Sequence, residues 1–166
     1  MNLRSLIRDV PDFPIPGIMF RDISQLLSSP QAFKYAVAEM VKNVDLERID
    51  AVVGIESRGF ILGAAMAAQF HKGFIPMRKA GKLPPPVQTL SYTLEYGEAT
   101  LEVAHGEGRV LIVDDVLATG GTLAAAEKLC ERAGYHVESI TVLINLKVLN
   151  QFRFQGREVP SVITYE

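Results

Sequence analysis

The sequence predicts an α/β fold, in which an open, mostly parallel and twisted sheet is flanked by helices. Two segments, residues 51–70 and residues 110–130, each contain an apolar run, a polar loop and a helix-forming run. The apolar runs do not alternate with polar residues, which indicates strands buried on both faces, as in parallel sheets. Ligands of such sheets bind beyond the carboxyl ends of the strands. The two polar loops are therefore the candidate site.

Length and composition limit the possible functions. A chain of 166 residues fits one domain, which we expect to span residues 1–166. The net charge of −2 offers no basic field to a nucleic acid, and Cys130, as the single cysteine, excludes an internal disulfide. No apolar run approaches the ~20 residues of a membrane span, and the N-terminus has no apolar signal core. We therefore expect a cytoplasmic protein without nucleic-acid or membrane partners.

The N-terminal segment carries an unusual cluster of apolar residues. Residues 3–10 have apolar side chains at helical spacing and predict a short amphipathic helix. Phe20 lies in the proline-bounded segment that follows. Such a segment either packs as an arm on the sheet or offers an aromatic surface to a flat ligand, and the residues alone favour the arm.

A helix and the first strand–helix unit come next. Pro30 suits the first turn of a helix that we expect to reach Val44. The strand at residues 51–55 is followed by a polar loop and by a helix over residues 60–70.

Positive side chains follow two of the predicted strands. Arg58, after the first strand, could pair with a carboxylate or reach a phosphate, although a lone exposed arginine is usually solvated. A third strand covers residues 73–77, and Pro76 is expected to end it early. Three cations come after that strand and suit a pyrophosphate, namely Arg78, Lys79 and Lys82.

Two alternating segments, residues 91–97 and residues 99–103, predict a hairpin that turns near Gly97 and Glu98. Hairpins of this kind cover the sites of α/β enzymes and exclude water. A glutamate in such a hairpin is otherwise most often solvent-exposed.

The second strand–helix unit contains a glycine loop that suits a phosphate. Gly120 and Gly121 let the backbone bend and approach a ligand, and Thr122 is a fair N-cap for the next helix. The unpaired N–H groups of that first turn, with the hydroxyls of Thr119 and Thr122, would form a phosphate cradle.

Two acids, Asp114 and Asp115, precede this loop directly after the strand. They suit sugar hydroxyls or a hydrated magnesium ion, so a phosphorylated sugar would satisfy both the loop and the acids. The sequence lacks the lysine of a P-loop and the G-x-G-x-x-G of a dinucleotide site. A plain strand–turn–helix with solvated acids is the alternative.

The C-terminal part predicts the remaining strands. Gly134 is a good helix C-cap, and residues 137–146 read as a strand. Residues 152–156 predict a helix end and turn, and residues 159–165 an edge strand. Leu146 fits either a core position or a cover over a flat ligand.

Five motifs together resemble a known family. The sequence V-D-D-V-L-A-T-G-G-T resembles the phosphoribosyl pyrophosphate (PRPP) signature of type I phosphoribosyltransferases, in the form typical of the adenine-specific members. P-I-P-G-I-M-F-R-D, E-S-R-G, R-K-A-G-K-L-P and S-Y-T-L-E-Y-G resemble segments of the same family. The resemblance implies an N-terminal hood at residues 1–25, a mobile lid at residues 78–103 and a homodimer. It also implies purine salvage, in which PRPP, with Mg²⁺, and adenine give AMP and pyrophosphate.

The resemblance also implies roles for individual residues. Glu95 is the acid–base candidate and Tyr96 its neighbour. Mg²⁺ has no direct protein ligand and is held through PRPP and water. A strained or cis peptide is expected near Ser57. The implied ribose contacts are Asp114 and Asp115, and the implied phosphate contacts are Ala118, Thr119, Gly120, Gly121 and Thr122. The implied pyrophosphate contacts are Ser57, Arg58, Gly59, Arg78, Lys79 and Lys82. The implied adenine contacts are Phe20, Arg21 and Leu146.

The sequence departs from the family pattern in the lid region, and two alternative functions stay open. Three prolines, Pro84 to Pro86, replace the usual one and are expected to form polyproline II, and the link at residues 103–109 is short. Ala118 stands where hypoxanthine–guanine relatives carry an aspartate, which disfavours a 6-oxopurine. The alternatives are a phosphoribosyltransferase for xanthine, hypoxanthine or orotate, and a PRPP-sensing regulator without catalysis.

Overall fold

The computed structural model describes residues 1–94 and 97–166, so the predicted catalytic pair, Glu95 and Tyr96, lies outside the described residues. The chain divides into two compact units, residues 1–39 and residues 40–166. The single domain over residues 1–166, with its hood and lid, stays a prediction.

The smaller unit contains a two-stranded antiparallel sheet. A 3₁₀ helix (Leu3–Leu6) leads to β1 (Arg8–Pro11), which pairs with β2 (Met19–Asp22). Two helices follow, α1 (Ser24–Ser28) and α2 (Pro30–Met40). The predicted helix over residues 3–10 is therefore wrong beyond Leu6, because pairing with β2 prevails over the helical spacing of the apolar residues.

Helix α2 begins at Pro30 as predicted but ends at Met40, four residues before Val44. The Met40 carbonyl accepts a hydrogen bond from the Thr141 hydroxyl at 2.7 Å. The N–H of Val44 donates instead to the Val41 carbonyl at 2.9 Å. The Thr141 hydroxyl thus occupies the Met40 carbonyl, which would accept the Val44 N–H if the helix continued.

The larger unit is built on a seven-stranded sheet. Its strands are β3 (Ala51–Ile55), β4 (Gly73–Lys79), β5 (Val87–Leu94), β6 (Gly97–Ala104), β7 (Arg109–Leu117), β8 (His136–Leu146) and β11 (Ser161–Tyr165). Their order across the sheet is β11-β8-β7-β3-β4-β6-β5. Neighbouring strands from β11 to β4 are parallel, whereas β6 is antiparallel to both of its neighbours, β4 and β5. The predicted class, an open and mostly parallel sheet flanked by helices, is confirmed. The flanking helices are α3 (Arg58–Gln69) and α4 (Gly121–Ala133).

The centre of the sheet is a topological switch point. The connection from β3 through α3 leads to β4 on one side, and that from β7 through α4 leads to β8 on the other. Right-handed crossovers place α3 and α4 on opposite faces of the sheet. The loops after β3 and β7 therefore border one crevice at the carboxyl ends of adjacent strands, where such sheets bind ligands.

The core explains why the central strands lack polar residues. Residues 110–113 of β7 and 52–53 of β3 are completely buried. Gly54 and Gly63 make room for the ring of Phe74, since a Cβ on Gly54 would lie 2.7 Å from that ring. No helix in the described part of the chain is long and apolar enough to cross a membrane.

Strand β4 does not end at Pro76 but continues to Lys79, which corrects the sequence prediction. The Met77 carbonyl accepts the Glu56 N–H at 3.0 Å, so the backbone hydrogen-bonding groups of Met77 point towards β3. The backbone of the preceding residue, Pro76, therefore points towards the opposite edge of the strand. Strand β6 pairs with β4 only at Arg78 and Lys79. The missing N–H of Pro76 therefore removes no ladder hydrogen bond.

The hairpin and its approach also differ from the prediction. Leu94 pairs with Gly97 and Thr93 with Glu98, so the predicted turn residues already belong to β6. The Pro85–Pro86 peptide bond is cis, so the run is not an all-trans polyproline II segment.

A small separate hairpin replaces the predicted helix end at residues 152–156. Strands β9 (Arg153–Phe154) and β10 (Arg157–Glu158) are joined by Gln155 and Gly156, with φ of 51° and 75°. Positive φ at both positions is the backbone of the two-residue turns that suit strand twist. The strand predicted over residues 137–146, the C-cap Gly134 and the edge strand near the C-terminus are all present.

Candidate active site

The acidic pair lies inside β7 rather than after it, because β8 pairs with β7 as far as Leu117. Asp115 is 7% exposed and forms an ion pair with Arg58, with 2.7 Å between Oδ2 and Nε. The Asp115 N–H donates to Asp114 Oδ1 at 2.9 Å. Burial, and then the negative charge of Asp115, raise the pKa of Asp114 well above its ordinary value. Asp114 and Asp115 are thus adjacent acidic side chains, and Arg58 pairs with the second of them.

The loop after β3 reaches the acids through a glycine. A Cβ on Gly59 would lie 3.0 Å from Asp114 Oδ1 and 3.0 Å from the Val113 carbonyl oxygen. Only a residue without a side chain lets the start of α3 approach β7 this closely. The Glu56–Ser57 peptide bond is cis, as expected near Ser57. The structure thus brings Ser57, Arg58 and Gly59 to the acidic pair.

The glycine loop forms the start of α4, as the sequence predicts, but with a different cap. Gly120 is the N-cap, with φ of +95°, and makes no side-chain capping bond. Thr122 lies in the first turn instead, with its hydroxyl 3.2 Å from that of Tyr92 on β5. A Cβ on Gly120 would lie 2.8 Å from Phe152. The loop is therefore confined between α4 and the segment after β8, with Ala118 and Thr119 leading into it.

The end of β4 and the loop after it contact a carboxylate, Glu56, that the sequence analysis did not single out. Glu56 accepts the Lys82 ammonium at 2.6 Å and the Lys79 N–H at 2.7 Å. The Arg78 guanidinium is 3.7 Å from Glu56 and 5.7 Å from the centre of the Phe60 ring. Burial raises the pKa of Glu56, but the hydrogen bonds from Lys82 and Lys79 outweigh it, so the pKa lies below its ordinary value.

A second missed residue, Glu102 on β6, fixes the backbone of the same loop. Its side chain is buried and accepts the N–H groups of Lys82 at 2.7 Å and Leu83 at 3.3 Å. Glu56 could have been found as the first residue of the E-S-R-G motif. Glu102 gave no signal, because it looks like any alternating hairpin glutamate.

The residues predicted for the base are on different units. Leu146 is 9% exposed at the end of β8, opposite Tyr165. In the smaller unit, Phe20 packs edge to face against Phe13, with 5.1 Å between ring centres, and Arg21 forms an ion pair with Asp9.

A cavity of about 610 Å³ lies beside the end of β8 within the larger unit. Asn145 and Asn150 hold its wall, since the Asn150 amide donates to Asn145 at 3.1 Å and to the Leu146 carbonyl at 2.9 Å. Phe152, which contacts Gly120, also lines it. The cavity therefore adjoins the glycine loop.

Comparison with known proteins agrees with this arrangement. The family model described as the phosphoribosyl transferase domain matches residues 22–153. The adenine phosphoribosyltransferase of Bdellovibrio bacteriovorus is 58% identical over 99% of this chain and 100% of its own length. The crystal structure of adenine phosphoribosyltransferase from Rhodothermus marinus is 44% identical, with a TM-score of 0.90 over 98% of this chain and 96% of that one. APRTase from Giardia lamblia, crystallised with 9-deazaadenine, is 41% identical, with a TM-score of 0.85 over 99% and 97%.

The match extends over nearly the whole chain and includes the segments whose motifs suggested the family. Three of those motifs lie at the carboxyl ends of β3, β4 and β7, which are neighbouring parallel strands of the larger unit. The chain belongs to the adenine phosphoribosyltransferase family.

Proposed function

We propose that this protein transfers the 5-phosphoribosyl group of PRPP to adenine and releases AMP and pyrophosphate, a purine salvage reaction. The observation that carries the proposal is the position of Asp114 and Asp115 beside the Gly120 loop and Arg58, at the switch point of the sheet. Family membership supplies the identity of the base.

The glycine loop binds the 5-phosphate of the sugar. Backbone N–H groups between Ala118 and Thr122 include those of the first turn of α4, which lack intrahelical acceptors. Asp114 and Asp115 take the ribose hydroxyls, and Asp115 is held in place by Arg58. Binding at the remote phosphate aligns the reacting carbon, C1′ of the sugar.

Charge drives the departure of pyrophosphate. As the C1′–O bond breaks, the ring becomes cationic and the leaving group gains negative charge. Positive side chains offset that negative charge, namely Arg58, Arg78, Lys79 and Lys82. Ser57 and Gly59, on either side of Arg58, contact the same leaving group. The carboxylates of β7 stabilise the cationic ring from the other side.

A purine nitrogen of adenine must lose its proton when the glycosidic bond forms. Glu95 is the proposed acceptor, with Tyr96 beside it; both lie outside the described residues. Ala118 supports this assignment, because it removes the aspartate that serves hypoxanthine–guanine enzymes. Phe20 and Leu146 are proposed to contact the adenine faces, and the backbone near Arg21 its edge.

Magnesium is proposed to arrive with PRPP. Among the residues that the structure describes, no three acidic, histidine or cysteine side chains are grouped to hold a metal, and Asp115 already pairs with Arg58. Asp114 and Asp115 would hold such an ion through water, and the ion would enter the site bound to PRPP. When bound, the ion supplies positive charge to the pyrophosphate oxygens. A homodimer and a cytoplasmic location belong to the same proposal.

Steady-state assays test the function directly. We expect AMP and pyrophosphate from PRPP and adenine, with Mg²⁺ required and with no comparable turnover of hypoxanthine, xanthine or orotate. Absence of AMP formation, or preferential turnover of another base, would refute the assignment. Light scattering of the purified protein tests the homodimer.

A further inference from the structure

Glu56 is a carboxylate at the centre of the proposed pyrophosphate subsite. Its side chain is 9% exposed, and the hydrogen bonds from Lys82 and Lys79 keep it ionised. A negative charge there opposes the binding of pyrophosphate, which carries several negative charges of its own. The position of Glu56 therefore needs an explanation that pyrophosphate binding alone does not give.

The two oxygens of Glu56 have different partners. Oε2 accepts the backbone N–H of Lys79 at 2.7 Å, which ties the end of β3 to the end of β4. Oε1 accepts the Lys82 ammonium at 2.6 Å and lies 3.7 Å from the Arg78 guanidinium. Oε2 thus fixes the backbone at Lys79, and Oε1 balances the positive charges of the Lys82 and Arg78 side chains.

Lys82 can change partner without moving its backbone. Its N–H is fixed by the buried Glu102 at 2.7 Å, whereas its side chain is 47% exposed. Four rotatable bonds connect the fixed backbone to the ammonium group. Only the ammonium needs to move from Glu56 to another anion.

We propose that Glu56 is a displaceable counter-ion: it holds Lys82 while the subsite is empty and competes with pyrophosphate for that lysine. The inference rests on the proposed function, since it takes Arg78, Lys79 and Lys82 to bind pyrophosphate. Glu56 is a positioning residue and does not touch the reacting atoms. By weakening pyrophosphate binding, it speeds release of that product.

Glu56→Gln separates the two tasks of the side chain. The glutamine carbonyl still accepts the Lys79 N–H, but the negative charge is removed. We expect calorimetry to show pyrophosphate bound roughly tenfold more tightly by Glu56→Gln, as removal of one nearby like charge predicts. Pre-steady-state kinetics should show slower pyrophosphate release and a lower kcat. Unchanged or weaker pyrophosphate binding in Glu56→Gln would overturn the proposal.

Glu138→Gln is the matched control. Glu138 pairs with Arg48 at 3.2 Å and His136 at 3.3 Å, away from the loops after β3 and β4. We expect its pyrophosphate affinity to stay within twofold of wild type. An equal gain in Glu138→Gln would show a general charge effect and would also overturn the proposal.

A measurement on the wild-type protein covers the case in which Glu56→Gln does not fold. The ¹⁵Nζ signal of Lys82, assigned by its loss in Lys82→Arg, should shift when pyrophosphate is added but not when chloride is added to the same ionic strength. A signal that pyrophosphate leaves in place would refute the exchange of partners. Failure of the proposed function would look different, because wild type would then form no AMP from PRPP and adenine, whatever its affinity for pyrophosphate.

Discussion

Replacement of Gly59 by alanine tests the closest contact in the site. The added Cβ would lie 3.0 Å from both Asp114 Oδ1 and the Val113 carbonyl oxygen. The carboxylate can turn away, but Val113 lies in the centre of the sheet, paired with Gly54 of β3. The contact with the Val113 carbonyl must therefore be relieved by a shift of α3, which carries Arg58.

Two opposing contributions to the free energy of unfolding set the stability of Gly59→Ala. Alanine favours a helix over glycine by up to about 1 kcal/mol, whereas overpacking costs about 1–3 kcal/mol. We expect a net loss of about 1 kcal/mol in the free energy of unfolding, or a Tm lower by about 2–4 °C for a chain of this size. Activity should fall further, by roughly 10- to 100-fold in kcat/KM for PRPP, because misplacement of the binding groups is costly.

Thermal denaturation and AMP formation by Gly59→Ala measure the two effects. Gly73→Ala is the matched control, since its Cβ would make an ordinary contact of 3.4 Å with Ala51, and we expect wild-type values for it. If Gly59→Ala kept kcat/KM within twofold of wild type, the close approach of α3 to the acids would not matter for function.

Three further changes test separate contacts. Tyr92→Phe removes the hydroxyl 3.2 Å from that of Thr122, and loss of one hydrogen bond should raise the KM for PRPP about threefold in steady-state assays. Glu102→Ala leaves two N–H groups near β6 unpaired and should lower the free energy of unfolding in urea by about 2 kcal/mol. Hydrogen bonds from Arg109 lower the pKa of Asp50 from 3.8 to about 2, so the stability they give is present above pH 4 and lost as the pH falls towards 2. The Tm of Asp50→Asn should thus be lower than wild type at pH 7 and equal to it near pH 2.

Each of these three predictions can be contradicted by a specific result. Tyr135→Phe removes a hydroxyl that donates to the Ala104 carbonyl at 2.8 Å, and should leave the KM for PRPP unchanged; a rise equal to that of Tyr92→Phe would deny a specific role to Tyr92. Wild-type stability in Glu102→Ala would mean that the loop does not depend on the buried carboxylate. A Tm difference for Asp50→Asn that persisted at pH 2 would exclude the ion pair as its cause.

Features set by neighbouring residues could be predicted from sequence. The bounds of β3 at residues 51–55 and the glycine start of α4 follow from an apolar run and from residues that permit positive φ. The acids at residues 114–115 fall near the carboxyl end of a parallel strand for the same local reason. The family motifs, which are local as well, added the chemistry.

Features set by distant residues could not be predicted. Strand β1 forms because residues 19–22 pair with it, and Pro76 stays within β4 because β6 covers that edge only beyond it. The partners of Glu56 and Glu102 depend on strand register, since Glu102 lies opposite Arg78 on β4. No spacing in the sequence encodes that register.

A crystal structure of the protein with AMP tests the central claim most directly. We predict that the 5′-phosphate lies within hydrogen-bonding distance of the backbone N–H groups between Ala118 and Thr122, with the ribose hydroxyls on Asp114 and Asp115. A nucleotide bound elsewhere, with that loop empty, would contradict the account.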